Sequence, residues 1–287
     1  MGRNRAEGWR HAKLSGHSNE ELIKDKINKD NKFKEQLSNR LELNSAIKLV
    51  SIGGINESNV DDVFGGKTKS KTDLRIHSES GESTNISIKK SSGGQVYLIG
   101  VERFLRGFEI QFNMKIPKNI ERSIKLFFGG ANDIAEIIDN IDLDEEISDT
   151  KKIKIKKYEK RKERITWKTL EKYNPELGEN LIEWFRENIE EIFLFCFQRG
   201  LSKNKSDWAE YVWYNNQVGE NLKDVIFSIN ELLAKLETDL FNKKILPGNI
   251  GGGTTIQLPF GFVQWHLGQI QFHHKQKLIL EILNINN

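Results

Sequence analysis

The sequence predicts an α/β chain in which a central mixed β-sheet is flanked by helices, with a helical middle region and a C-terminal β-ribbon. Three observations predict it. Residues 71–90, KTDLRIHSESGESTNISIKK, alternate polar and apolar in two runs around a turn at Gly81, the pattern of a hairpin. Apolar residues recur at helical period over 18–41, 177–199 and 221–241. From Gly251 onward short alternating runs return, separated by Gly or Pro. A chain of 287 residues that is 37% hydrophobic can bury a full core, as one large domain or two small ones.

Composition narrows the function classes. Net charge is only +3, so any nucleic-acid role must come from local clustering of basic side chains. The single cysteine, Cys196, lies in the apolar run IFLFCF, which excludes a disulfide framework and a cysteine-rich zinc site. The polar, basic first residues hold no apolar signal core, and no run is apolar enough to span a membrane. A reducing, cytoplasmic setting with no membrane partner is the expectation.

In order, 2–16 reads as a loop or arm whose Arg3, Arg5, Arg10 and Lys13 either meet phosphates or stay solvated. Ser18-Asn19-Glu20-Glu21 has the form of a capping box, which starts a helix at Ser18 that runs to about Leu41 and engages Glu21 at the cap. Glu20 shares a helical face with Ile23 and Ile27. It either takes a partner there, a metal or a lysine, or sits in water at the stripe's edge. A strand over 46–52 and a short apolar segment at 60–64 lead through a polar run into the hairpin.

In the hairpin, period two puts Asp73 at the head of the first strand. Ser87 and Lys89 share one face of the second strand, and Ile86 and Ile88 the other. A carboxylate, a backbone carbonyl and a lysine gathered around Mg²⁺ can activate water against a phosphodiester. Lys71 before the hairpin, and Lys90, Ser91 and Ser92 after it, offer donors to phosphate. The pattern over 95–106 reads as a helix packed on the sheet, with its amides near Lys89 and Gln95 facing the site. Two short helices follow at 120–128 and 131–141. An acidic run at 139–149 then switches to a basic one at 151–168, either a domain seam, a DNA-facing flap or a solvated linker. Lysines alternate at 152–156 as on an edge strand.

Residues 177–199 read as one long helix closed by Gly200, and 221–241 as another. Aromatics at 208–214 are core, or less simply stacking groups for bases. The tail reads as strands at 254–258, 261–265, 269–273 and 277–283. Gln264, His266, Gln269, Gln271, His273, His274 and Lys275 stand on these strands, and such side chains can reach base edges. His273 and His274 are adjacent, so they point to opposite faces of a strand.

With these residues laid out, the chain resembles type II restriction endonucleases of the PD-(D/E)XK superfamily, and within it the MspI-like branch. Asp73 followed by Ser87-Ile88-Lys89 stands in the place of the D…(E/D)-x-K pair. Lys71-Thr72-Asp73 and Ile88-Lys89-Lys90-Ser91-Ser92 are similar to that branch's own flanking residues. KLSGHSNE, ending in Glu20, is similar to the opening of the first helix in MutH-like nucleases, where a glutamate lies at the active site. GQIQFHHK at 268–275 is similar to a C-terminal element that touches bases. Ser87 departs from the pattern by replacing the second acid, and the middle third of the chain is unmatched.

The resemblance implies a restriction-endonuclease-like core over 1–150 and a helical and β-ribbon recognition region over 151–287, packed as one globular unit. It implies a type II site-specific deoxyribonuclease making Mg²⁺-dependent double-strand cuts in DNA. Asp73, the Ile88 carbonyl and Glu20 would hold the metal, and Lys89, with Ser87 and Gln95, would complete the catalytic set. The partner would be double-stranded DNA, bound by a monomer or by a homodimer on a palindromic site. A structure- or damage-specific repair nuclease, and a non-catalytic DNA-binding protein with a decayed site, are the rival readings.

Overall fold

A computed structural model of the chain describes residues 5–52, 59–141, 164–219, 222–236, 244–249 and 252–285, with the backbone alone over 5–13. In chain order the elements are α1 (Arg5–Lys29), α2 (Asn31–Arg40), β1 (Ile47–Ser51), β2 (Asn59–Asp61), β3 (Lys67–Lys69), β4 (Leu74–Ser78), β5 (Ser83–Lys89) and β6 (Gly93–Gly100). Helices α3 (Val101–Phe112), α4 (Lys118–Phe128), α5 (Ile134–Asn140), α6 (Trp167–Tyr173), α7 (Pro175–Glu187) and α8 (Ile189–Leu194) follow. After a π turn (Phe195–Arg199) come β7 (Tyr211–Tyr214), β8 (Val225–Ser228), α9 (Ile229–Leu236), β9 (Leu246–Pro247), β10 (Thr255–Leu258), β11 (Gly261–His266), β12 (Gln269–Lys275) and α10 (Gln276–Leu283).

The chain divides into two compact units interleaved in sequence, Met1–Ser92 with Phe197–Ala234, and Gly93–Cys196 with Lys235–Asn287. The first holds a mixed five-stranded sheet in the order β1-β4-β5-β7-β8. The pairs β1/β4, β4/β5 and β7/β8 are antiparallel, and β5/β7 is parallel. Its core closes where one stripe of each helix meets one face of the sheet. Ile23 and Ile27 of α1 and Leu37 of α2 pack on Val50, Leu74, Ile76, Ile86, Ile88 and Trp213. Each such side chain, once fully buried, contributes about 1.5–3 kcal/mol. Asp30 separates the two helices: its backbone is extended and its carboxylate accepts from the Phe33 amide, a good N-cap.

The second unit holds an antiparallel sheet in the order β6-β12-β11-β10-β9. Its apolar face carries an aromatic cluster in which Phe104 of α3 lies 5.8 Å from Phe272 of β12 and 5.5 Å from Phe195. Alternation turns Gln271 and His273 to the opposite face. The predicted C-terminal ribbon is thus the middle of a five-stranded sheet.

The α/β class with a central mixed sheet flanked by helices is observed, and several elements differ from their sequence reading. No cap forms at Ser18. Helix α1 already runs from Arg5, the Ser18 hydroxyl donates back to the Leu14 carbonyl at 2.9 Å, and Glu21 pairs with Lys24. Good helix formers upstream carry the helix through a local cap signature. Residues 95–100 are strand, because Val96, Tyr97 and Ile99 suit a strand and Gln95, Tyr97, Leu98 and Ile99 pair with β12; the helix starts at Val101. The long 177–199 helix breaks at Asn188, whose amide bonds to the Trp184 carbonyl, and ends in the π turn. Residues 225–228 are strand, paired with β7 before α9 begins. Residues 277–283, read as strand, are helical, with Ile279, Ile282 and Leu283 buried as one stripe. The polar run after Gly66 forms β3, paired with β2. The seam predicted at 150 and the lysine-bearing strand at 152–156 fall in 142–163, outside the described residues, as do the side chains of Arg3, Arg5, Arg10 and Lys13.

Candidate active site

The predicted hairpin forms as β4 and β5, joined by a turn in which Gly81 adopts φ +88°, a conformation that suits glycine. Leu74 and Ile76 go to the core with Ile86 and Ile88. The same alternation sends Ser87 and Lys89 to the other face. Asp73 stands immediately before β4, and its amide continues the ladder to the Ile86 carbonyl at 2.9 Å. The chain leading into it is pinned. Buried Thr72 donates from its hydroxyl to the Asp207 carbonyl at 3.0 Å, as does the Ser70 hydroxyl at 2.8 Å.

Asp73, Ser87, Ile88 and Lys89 come together. Asp73 Oδ2 accepts from the Ile88 amide at 2.6 Å and from the Ser87 hydroxyl at 3.2 Å. Lys89 Nζ donates to Ser87 Oγ at 2.7 Å and to the Ile88 carbonyl at 3.3 Å. The same ammonium lies 6.0 Å from the centre of the Phe197 ring, an aromatic wall that the sequence did not single out. Tyr214, fully buried, pairs with Lys89 across the parallel β5/β7 ladder.

Burial governs the electrostatics. It raises the Asp73 carboxyl above its ordinary range, against the opposing pull of Lys89, the Ile88 amide and the Ser87 hydroxyl. It lowers the Lys89 ammonium, against the opposing charges of Asp73 and Glu20. The two groups hold each other's charge in place while desolvation works to discharge both.

Glu20 is part of this field. It lies on α1 with its side chain 16% exposed and His17 Nδ1 3.4 Å away, and its charge also opposes the lowering of Lys90. Lys90 bonds the Ser15 hydroxyl, also on α1. Lys71 acts on Asp73 through its charge. Ser91 and Ser92 stand exposed just after β5. A residue that sequence reasoning passed over, Asn19, fixes this end of α1. Its buried amide donates to the Asn215 carbonyl at 2.9 Å and accepts from the Gln217 amide at 2.6 Å. Asn215 in turn donates from its backbone to the Lys89 carbonyl at 3.1 Å. Its neighbours in the capping-box reading hid this signal.

Among the described residues no group of three His, Cys, Asp or Glu side chains is set to hold a metal ion. The oxygens present suit Mg²⁺ in kind. Asp73, the Ile88 carbonyl and the Glu20 carboxylate are hard donors, and Mg²⁺ takes one or two carboxylates and keeps several waters. Ser87 adds a neutral oxygen where an acid would add charge.

Gln95 lies in the second unit, on β6 and not on a helix, and its Oε1 accepts from Gln271 Nε2 at 2.7 Å. Gln264, Gln271 and His273 share the polar face of that sheet, since Gln264 pairs opposite Gln271 and Phe262 opposite His273. Gln269 and Lys275 fall on the same face of β12, and His266 pairs with Gln269. His274 points the other way and is buried at 3% exposure, so it does not join this face. His273 is lowered from its ordinary value by burial and by His266.

No helix among the described residues is long and apolar enough to cross a membrane. No protein-family model matches the chain, and a search of curated proteins finds no match. Among solved structures it is similar to the crystal structure of restriction endonuclease MspI in complex with its cognate DNA, at 13% identity and a TM-score of 0.44, over 92% of this chain and 87% of that one.

Proposed function

We propose that the chain is a DNA endonuclease that hydrolyses phosphodiester bonds with Mg²⁺ and cuts both strands at a specific sequence. One observation carries the reading: Asp73 and Lys89 are joined through Ser87, with Lys89 also reaching the Ile88 carbonyl, and burial opposes the charge of both.

Asp73, the Ile88 carbonyl and Glu20 are the residues that would hold Mg²⁺. When bound, the ion supplies positive charge for the phosphoryl group and the leaving 3′ oxygen. Burial lowers the proton affinity of Lys89, so a larger fraction of it than of an ordinary lysine is neutral and able to take a proton from the attacking water. Ser87 fixes Lys89 Nζ by accepting its hydrogen bond and fixes Asp73 Oδ2 by donating to it. Lys71, Lys90, Ser91 and Ser92 would meet the backbone phosphates, and the amide-bearing sheet face of the second unit would read base edges.

The test is to digest DNA of known sequence with Mg²⁺ and sequence the ends. Cuts at one fixed short site support the reading. Cuts that follow mismatches or junctions instead indicate a repair nuclease. Specific binding with no Mg²⁺-dependent nicking indicates a decayed site, the reading that Ser87 in place of an acid favours.

A further inference from the structure

Strands β11 and β12 close in a two-residue turn, since His266 pairs with Gln269 and only Leu267 and Gly268 lie between them. Both turn residues have positive φ, +50° for Leu267 and +76° for Gly268. That is the form of a type I′ turn, which favours asparagine, aspartate or glycine at its first position. Leucine is strained there, because its Cβ crowds the backbone in the left-handed region. The side chain gains little burial in return. It is 59% exposed, the most of any large apolar residue among those described. A Cβ added at Gly268 would meet no atom within 4 Å, so the tip stands clear.

The strands that carry this tip are polar on one face and outrun their neighbour. The last β10–β11 pair is Thr255 with Gln264, so Trp265 and His266 go on to the turn paired with β12 alone. Exposed His266 and half-buried Gln269 stand opposite each other directly below the turn, and Gln264 and Gln271 form the next pair on the same face. Gln264 Nε2 donates to Gln271 Oε1 at 2.8 Å, and Gln271 Nε2 to Gln95 Oε1 at 2.7 Å. A β-bulge brings Gln95 to this face: Phe272 pairs with Tyr97 but His273 with Gln95, so one residue of β6 is skipped. Neither β11 nor β12 carries an acidic residue, so neither repels a phosphate.

We propose that Leu267 is a wedge that enters between two stacked base pairs of duplex DNA and unstacks them. The proposal rests on the DNA reading above. Prying a base step apart takes an apolar group to replace the lost stacking, and hydrogen-bonding groups beside it to meet the base edges and sugars. Leu267 supplies the first, and His266 and Gln269 the second. Strained left-handed residues other than glycine collect at functional sites, because the fold by itself gains nothing from them. An asparagine at the tip would relieve the strain and would stay in water outside the stack. The duplex suited to such a wedge contains a pyrimidine–purine step, which unstacks most easily.

The test uses the full chain without Mg²⁺, so that the duplex stays whole, and the site found by digestion or, failing cleavage, by selection for binding. 2-Aminopurine replaces each adenine of that duplex in turn, and its fluorescence rises when it unstacks. The expected result is a rise at one step. Leu267→Asn should abolish the rise and weaken binding by about tenfold, the low end for losing one buried leucine. The same variant should raise the urea midpoint of the free protein, because asparagine suits the turn. Leu267→Met keeps an apolar side chain and should keep the rise. A rise that persists in Leu267→Asn, or is lost in Leu267→Met, would overturn the wedge. So would a bound duplex with no rise at any step, which leaves the nuclease reading intact. A lower urea midpoint in Leu267→Asn would show a packed leucine and would also overturn it. Failure to bind any duplex would overturn the DNA reading and the wedge together.

Discussion

Lys89 Nζ and Ser87 Oγ are 2.7 Å apart, two residues along one strand and on one face of it. That bond makes the serine an intermediary. The same hydroxyl donates to Asp73 Oδ2, so a lysine and an aspartate on different strands are positioned by one neutral group. A carboxylate at position 87 would instead bring a second negative charge to the metal-facing side.

Ser87→Asp should therefore strengthen metal binding. The Mg²⁺ concentration giving half-maximal cleavage is expected to fall several-fold, because ligand charge count sets affinity for hard cations. Ser87→Ala should leave that midpoint near its original place and slow cleavage by loosening Lys89. A Mg²⁺ titration of both variants checks this, and an unchanged midpoint in Ser87→Asp would place the metal elsewhere.

Asp73→Ala and Lys89→Ala should each reduce cleavage by about 10²–10⁴-fold, the usual range for a positioned proton-transfer group, while binding of duplex DNA stays within a few-fold. Plasmid nicking assays and gel shifts give the two readouts. Cutting by Lys89→Ala at the original rate would show that the site is misplaced.

The pH dependence follows from the direction of the Lys89 shift. Lys89 must be neutral to take a proton, and burial lowers its proton affinity, so the cleavage rate should rise with pH and level off below the ordinary lysine range. Glu20 opposes that lowering. Glu20→Gln should shift the rising limb to lower pH, whatever its effect on the plateau. Glu21→Gln, which loses only the pairing with Lys24, should not shift it. Rate–pH profiles of the three proteins decide the matter.

Stability should vary with pH in the opposite sense to a favourable ion pair. A carboxyl raised above its unfolded value costs stability increasingly as pH rises past the unfolded value, and a lysine lowered below its unfolded value costs stability increasingly as pH falls past the unfolded value. At neutral pH both costs are present. Replacing the pair together, Asp73→Asn with Lys89→Met, should stabilise the protein by about 1 kcal/mol at neutral pH, the low end for a buried pair because both side chains are only half-buried. Urea unfolding at several pH values measures it, and a less stable double variant would reverse the sign assigned to burial here.

Asn19→Ala should destabilise the first unit by about 1 kcal/mol, chiefly the cost of leaving the buried Asn215 carbonyl without its partner, since Gln217 is exposed. Because those residues follow β7, and Asn215 bonds Lys89, cleavage should fall as well. Asn19→Asp should restore the contact to the Gln217 amide and part of the stability. Denaturant midpoints of the three proteins test the order.

Local pattern was sufficient for the hairpin, because period two dictates which of Ile86, Ser87, Ile88 and Lys89 share a face wherever the strand ends up. Gly81 and the apolar pair Leu74/Ile86 fixed its register. The same pattern misplaced Gln95, since a run containing Val, Tyr, Leu and Ile fits either a helix or a strand until a partner strand is present. It misread Ser18 too, because a capping signature acts only where the preceding chain is not already helical.

The sequence by itself determined that a carboxylate, a hydroxyl and a lysine would share a strand face, since alternation is a property of the backbone. Only the tertiary structure decided what surrounds them. The parallel insertion of β7 beside β5, the Asn19 clip from α1 and the Phe197 wall come from residues more than a hundred positions away from one another, and hydrophobic burial, not local propensity, selects those neighbours. The bulge that brings Gln95 beside Gln271 is likewise invisible to periodicity, because it is the one place where the strand breaks its own repeat.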